Sequence, residues 1–197
     1  MVRIFAAGDF HADISTARSL AQRAVDEKAD IIVLNGDIVE EDRTSGVMKY
    51  FVETGLPVYL VPGNHDWLAT DFLAAQYNVT NLHAKSIRKG DVSIFGCGGA
   101  NVGVHRLTEE EILETVRLAN DASAKKRVLI SHVHPAGTLM EKFSGFIPGS
   151  SGLRFAIEEL KPDVVLCGHV HEAEGIEEKI GDTVVINVGK SGRLIEL

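Results

Sequence analysis

Six short apolar runs, at residues 4–7, 31–34, 58–61, 92–96, 128–130 and 164–166, set the rhythm of this chain. Each is too short for a stable helix, and each is apolar without strict alternation. That is the signature of a strand buried on both faces. Five of the runs end in polar residues: Gly8-Asp9, Gly36-Asp37, Gly63-Asn64-His65, His132 and Gly168-His169. In an open α/β sheet the carboxyl edge of the strands is where ligands bind, so these groups can converge on one small volume.

Between the strands the period changes to helical. Residues 15–28 place Ala17, Leu20, Ala21, Ala24 and Val25, with Ile14 just before them, on one stripe, and residues 44–54 do so more weakly with Val47, Tyr50 and Phe51. Thr108-Glu109-Glu110-Glu111 is a capping box ahead of Ile112, Leu113, Val116 and Leu118. A short helix is expected over 153–160, stopped by Lys161-Pro162. Residues 175–180 and 183–188 read as a hairpin turned at Gly181-Asp182, and 193–197 as a last strand. Strands alternating with helices imply a sheet covered by helices, and a second sheet packed on the first is the simplest home for the C-terminal strands. The segment 134–152 has no regular pattern and carries Pro135, Gly137, Gly145, Pro148, Gly149 and Gly152. A loop of that length is usually functional, and it is expected to form a lid or substrate wall.

The chain has 197 residues, 45% hydrophobic and 24% charged, which suits a single domain over 1–197 with no linker. No stretch approaches the roughly 20 apolar residues that span a bilayer, and Met1 leads straight into a strand. Cys97 and Cys167 lie in or beside apolar runs and are expected to be free buried thiols, so the expected location is cytoplasmic, with no membrane partner. A net charge of −8 without clustered Lys or Arg argues against a stable nucleic-acid complex. Lys125-Lys126-Arg127, the densest basic run, is read as a helix C-terminus.

The chemistry lies in Asp9-Phe10-His11, Asp37, Asn64-His65, His132 and His169-Val170-His171, the ligand inventory of a two-metal hydrolase. His132 and His134 would face the same way on extended backbone, so by geometry alone either could be a ligand. His134 can line the substrate pocket, bind product phosphate or sit on the loop surface. Gly98-Gly99-Ala100-Asn101 lacks the P-loop pattern; its glycines suit a close backbone approach, and Asn101 is a candidate substrate contact. His83 and His105 are expected at the surface.

In order and spacing, Gly8-Asp9-Phe10-His11, Gly36-Asp37, Gly63-Asn64-His65-Asp66, His132 and Gly168-His169-Val170-His171 resemble the calcineurin-like metallophosphoesterases. The stretch from Leu166 to Glu172 and the size look most like the small prokaryotic branch related to the Icc cyclic-nucleotide phosphodiesterase. The resemblance implies a four-layer α/β/β/α fold with a two-sheet core. It implies two divalent cations, the first held by Asp9, His11, Asp37 and His171, the second by Asp37, Asn64, His132 and His169. Two such ions about 3.5–4 Å apart repel by roughly 17–19 kcal/mol at an effective dielectric near 20. Bridging Asp37 and a bridging hydroxide, the implied nucleophile, would offset that repulsion. Their +4, less Asp9, Asp37 and hydroxide, leaves about one positive charge to attract a phosphate ester. Mixed nitrogen and oxygen donors suit Mn, Fe, Zn, Co or Ni, with Mn favoured here, more than Ca or Mg. The resemblance also points His65 at the substrate as general acid, with Asp66 expected to orient its imidazole.

The expected activity is therefore a phosphodiesterase acting on a small ester, a nucleotide among the candidates, with a phosphomonoesterase or nucleotidase as alternative. The family commonly shows a small residue or proline where His134 stands, a departure that leaves its role open. A non-catalytic scaffold of the same fold is the rival from another class, and such members lose ligands that this chain keeps. A β-lactamase-type metallohydrolase would need a His-x-His-x-Asp-His run, which is absent.

Overall fold

The computed structural model describes residues 1–44 and 46–197. The first sheet has the order β11-β1-β2-β3-β4, built from β1 (Arg3–Ala7), β2 (Ile31–Leu34), β3 (Val58–Leu60), β4 (Thr80–Asn81) and β11 (Arg193–Glu196). Its first four strands run parallel and β11 closes the edge antiparallel to β1. The second sheet has the order β5-β6-β7-β8-β10-β9. Here β6 (Val92–Cys97), β7 (Lys126–Ser131), β8 (Val164–Cys167) and β10 (Thr183–Asn187) are parallel, with β5 (Ser86–Lys89) and β9 (Glu177–Ile180) antiparallel at the edges.

Because side chains alternate along a strand, each sheet serves two cores. Ile4, Ala6, Ile31, Val33, Ile94, Val128, Ile130 and Leu166 meet between the sheets. Their neighbours Phe5, Ala7, Ile32 and Leu34 face α1 (Ile14–Asp26) and α2 (Val47–Glu53), with Leu73 of α3 (Trp67–Tyr77) in the same cluster. On the other side Phe95, Leu129 and Val165 face α4 (Glu109–Ala119) and α6 (Ser151–Leu160). The result is the expected four-layer α/β/β/α sandwich. Burying each large side chain contributes about 1.5–3 kcal/mol, so both faces of every central strand work to hold the strand ends in place.

Several expectations are refined. The hairpin forms with Gly181 at φ +60°, yet the last strand returns to the first sheet. Helix α3 and the short helix α5 (Leu139–Ser144) carry no visible stripe in the sequence, α3 because it is apolar nearly all round. The helix expected at 44–54 is α2; residue 45 lies outside the described residues. Lys125-Lys126-Arg127 does not end a helix. It leads into β7, with Lys125 just before the strand paired with Asp91 and Lys126 at its start paired with Asp163, each at 2.7 Å. His83 is half-buried, with its ring edge-on to Trp67 and its Nδ1 accepting the Gly98 N–H at 3.1 Å. Cys97 and Cys167 are free and buried as expected, and burial pushes the Cys97 thiol up to about 12.

Candidate metal centre

The loops after β1, β2, β3, β7 and β8 bring the polar groups to one edge shared by the two sheets. The turn that does this is sharp: Asp9, His11, Asp37 and His169 take φ of 56°, 43°, 47° and 70°. Left-handed backbone at a residue with a side chain costs about 1–3 kcal/mol, so four such residues at one edge mark a site held by its surroundings. Close approach of the loops also requires glycine at several positions. A Cβ on Gly8 would collide with Asn35 Oδ1, and one on Gly63 with Asp37 Oδ1.

Two clusters form around Asp37. In the buried one, His132 Nδ1 donates to the Asn35 carbonyl at 3.0 Å, which leaves Nε2 to face the site. Around that Nε2 stand Asn64 Oδ1 at 3.1 Å, His169 Nδ1 at 3.2 Å and Asp37 Oδ2 at 3.4 Å. In the open cluster, His11 Nδ1 donates to Glu40 Oε1 at 2.7 Å, and its Nε2 lies 3.4 Å from His171 Nε2 and 3.8 Å from Asp37 Oδ2. One oxygen of Asp37 therefore stands between the two clusters, while its other oxygen accepts the His65 backbone N–H at 3.0 Å. Asp9, 3% exposed, accepts the His169 N–H at 3.0 Å through Oδ2 and lies 3.8 Å from His132 Nδ1.

Lone pairs of several acceptors thus aim at two points. One proton can satisfy a single pair of acceptors; a cation satisfies all of them at once. Asp9 and Asp37 are buried carboxylates with no Lys or Arg ion pair among the described residues; His132 stands beside both, and one imidazolium offsets only one of the two buried charges. The donor set of carboxylate, amide oxygen and imidazole fits divalent transition ions. Asp37, His132 and His169 offer atoms all within 4.8 Å of one another.

The electrostatics agree. Burial works against charging His132, but Asp37, Asp9 and Asp66 outweigh it and raise the imidazole to about 9. Burial works against Asp37 too, yet His132, the His65 N–H and His11 hold its carboxyl well below the ordinary range. Burial and then the charge of His132 push His169 down to about 3, so this ring is a neutral donor at physiological pH. Asp9 is raised by burial, opposed by His132.

His65 stands half-open at the cleft with its Nδ1 3.1 Å from Glu40 Oε2. Glu40 therefore grips His11 with one oxygen and His65 with the other. The sequence reading missed it, although a carboxylate three residues after Asp37, on the same loop, was the available signal. Asp66, expected to orient His65, instead accepts backbone N–H groups from Gly63 at 2.6 Å and Ile38 at 2.7 Å, tying the loops after β2 and β3 together. Burial, and then the charge of Asp37, lift its carboxyl to about 6.

The ring of His134 is buried, and neither nitrogen has a partner among the described residues; burial lowers it to about 4. Asn101 donates to Glu109 at 3.0 Å and to the Pro148 carbonyl at 3.2 Å, holding two loops together. His105 lies 3.7 Å from Glu41. The cleft over the site, about 280 Å³, is lined by His11, Asp37, His65, Ile147, His169, His171 and Glu172.

Comparison with solved structures places the fold. The protein TT1561 of Thermus thermophilus superposes with a TM-score of 0.76 at 20% identity, over 95% of this chain and 89% of that one. A dimetal phosphatase from Danio rerio gives 0.60 at 12% identity, covering 94% and 86%. An archaeal protein characterised as a phosphodiesterase gives 0.53 at 18%, covering 95% and 84%. At such identities the likeness speaks for the fold alone. No curated protein matches. The family described as calcineurin-like phosphoesterase matches residues 2–173. With that match across most of its length and paired ligand clusters at the sheet edge, the chain belongs to the calcineurin-like phosphoesterases, dinuclear metal-dependent hydrolases of phosphate esters.

Proposed function

We propose that this chain, as one domain over 1–197, is a phosphodiesterase for small esters, with a nucleotide among the candidate substrates. Asp9, His11, Asp37 and His171 would hold one cation, and Asp37, Asn64, His132 and His169 the other. The observation that carries this reading is the single oxygen of Asp37 set between two clusters of converging acceptors. When bound, the cations would supply charge neutralisation at the phosphoryl oxygens and acidify a water into the nucleophilic range near neutral pH. Manganese is the ion to supply first.

The chain's own groups do the rest. His65 lines the cleft with its ring 5.2 Å from that of His11 and would donate a proton to the leaving oxygen. Glu40 is a positioning residue: its carboxylate accepts from Nδ1 of both rings, which leaves the Nε2 lone pair of His11 free for a cation, while His65 would act as acid through Nε2–H of its doubly protonated ring. Glu40→Gln keeps the shape but weakens the charge-assisted bond to His65. Turnover is expected to fall about 10- to 100-fold, with the loss in kcat and KM little changed. Wild-type kcat in this variant would separate Glu40 from positioning His65.

Diester preference is supported by the cleft lining, which includes no Lys or Arg among the described residues and does include Glu172. A monoester dianion rewards an Arg fork; a diester monoanion does not need one. The monoesterase alternative draws on Arg43, which donates to the His11 carbonyl at 2.9 Å on the rim. With Mn²⁺ present, bis(p-nitrophenyl) phosphate is expected to be hydrolysed faster than p-nitrophenyl phosphate. A tenfold dominance of the monoester would reverse the assignment, and protein that acquires no stoichiometric metal would favour a scaffold.

Metal uptake should depend on pH through His132. In the metal-free protein its imidazolium pairs with Asp37, so the folded value, about 9, exceeds the ordinary value near 6.5. That pairing stabilises the metal-free fold below pH 6.5 and is lost as pH rises through about 9. A cation must displace the proton, so apparent affinity is expected to rise about tenfold per pH unit up to pH 9 and then level off. Chelator competition at several pH values measures this; a flat response would mean that His132 gives up no proton.

No helix among the described residues is long and apolar enough to cross a membrane. The two buried free thiols support a reducing compartment, which for this protein we take to be the cytoplasm.

A further inference from the structure

We infer that the turn at residues 144–148 is the specificity wall of this site, with Ile147 and Phe146 receiving an apolar or aromatic ester group of the substrate. This rests on the phosphoesterase reading above and names the class of ester it takes. Among the described residues, Ile147 is the one apolar residue lining a cleft otherwise made of four imidazoles and two carboxylates. Next to it Phe146 is 92% exposed, and Phe143, in the last turn of α5 just before, is 59% exposed.

These side chains are presented by a built turn. Gly145, at φ +69°, reverses the chain, and Ser144 Oγ lies 2.7 Å from the Ile147 carbonyl and accepts the Ile147 N–H at 3.2 Å. Phe146 N–H donates to the Ser144 carbonyl at 2.8 Å. The segment is stapled at both ends. Glu141 accepts N–H groups from Gly137 at 2.7 Å and Gly149 at 3.1 Å, and the Pro148 carbonyl accepts from Asn101. Buried Met140 meets Cys167, one residue before the Gly168-His169 turn, at 3.6 Å. A large aromatic held in solvent one residue from the cleft lining gains nothing for the fold, but would gain burial when an apolar group enters. The same wall offers nothing to inorganic phosphate or a small alkyl ester, so it sets preference through the second ester group.

The test compares two esters with one leaving group, bis(p-nitrophenyl) phosphate and methyl p-nitrophenyl phosphate, on the Mn²⁺-loaded protein. In Phe146→Ser and Ile147→Ser, kcat/KM for the bis-aryl ester is expected to fall about tenfold, the effect of losing one such contact. The methyl ester should change less than about twofold, and Phe155→Ser, an exposed phenylalanine on the outer face of α6, should leave the ratio at the wild-type value. If both wall variants keep the wild-type ratio, or lose both esters in parallel, the inference is overturned. Should Ile147→Ser melt early by circular dichroism, Phe146→Ser decides alone, since that side chain supports no core. Metal-loaded wild type that hydrolyses neither ester would overturn the phosphodiesterase reading on which the inference rests, a different result from hydrolysis without aryl preference.

Discussion

Asp37→Asn is expected to empty both metal positions together and to lower phosphoesterase turnover by at least about a thousandfold. The side chain keeps its size and can still receive the His65 N–H, so the fold has little reason to change. What is lost is the negative charge at the one point that serves His132 on one side and His11 on the other. Without it, two cations would face each other across neutral ligands, and Asp9 alone could not hold both. Metal analysis of the purified variant reads the effect directly. Near-stoichiometric content of two ions would show that Asp37 is not shared, and the assignment of ligands to two sets would have to be redrawn. Loss of a single ion would place Asp37 in one cluster only.

His65→Ala is expected to give the opposite pairing of results, with metal content unchanged and turnover down about 10²- to 10⁴-fold, the usual range for removing a general acid. The imidazole is exposed at the cleft and its ring contacts Glu40, while only its backbone N–H touches Asp37. The loss should grow as the leaving group becomes more basic, because p-nitrophenolate departs with little help and an alkoxide does not. Wild-type rates on an alkyl ester in this variant would remove His65 from the chemistry. Together with Asp37→Asn, the two substitutions separate the residues that hold cations from the residue that serves the leaving group.

How far such roles were visible in advance depends on the kind of signal each residue leaves. Strands buried on both faces write themselves as apolar runs, and a capping box is local, so β1, β2, β6, β7, β8 and α4 were readable, as was the polar residue after each site-bearing strand. Helix α3 was hidden because Leu68 and Phe72 remain exposed while Ala69 and Leu73 are buried, which erases the stripe. Helix α5 was hidden in a stretch rich in breakers, held by Glu141 and Asn101 contacts that no local pattern announces. The Lys125–Arg127 run was misread because basic residues suit a helix end and an edge of a strand equally well, and only Asp91 and Asp163 decide between them.

The candidate site divides the same way. Residue types and their order at five strand ends were enough to bring Asp9, His11, Asp37, Asn64, His132, His169 and His171 forward together, because parallel strands present ligand-binding groups at their carboxyl ends; that β1, β2 and β3 lie in one sheet and β7 and β8 in the other was decided by the fold. Which carboxylate serves which imidazole was a matter for the folded chain. Asp66 is adjacent to His65 in sequence, yet helix α3 starts there and its carboxyl turns inward to backbone N–H groups. Glu40 is 25 residues from His65 and reaches its ring because the loops after β2 and β3 are neighbours in the sheet. Local pattern determined most of the elements and the inventory of candidate ligands. Tertiary structure decided pairing, tautomer and the wall of the cleft, since hydrogen bonds act over about 3 Å in space and are indifferent to separation along the chain.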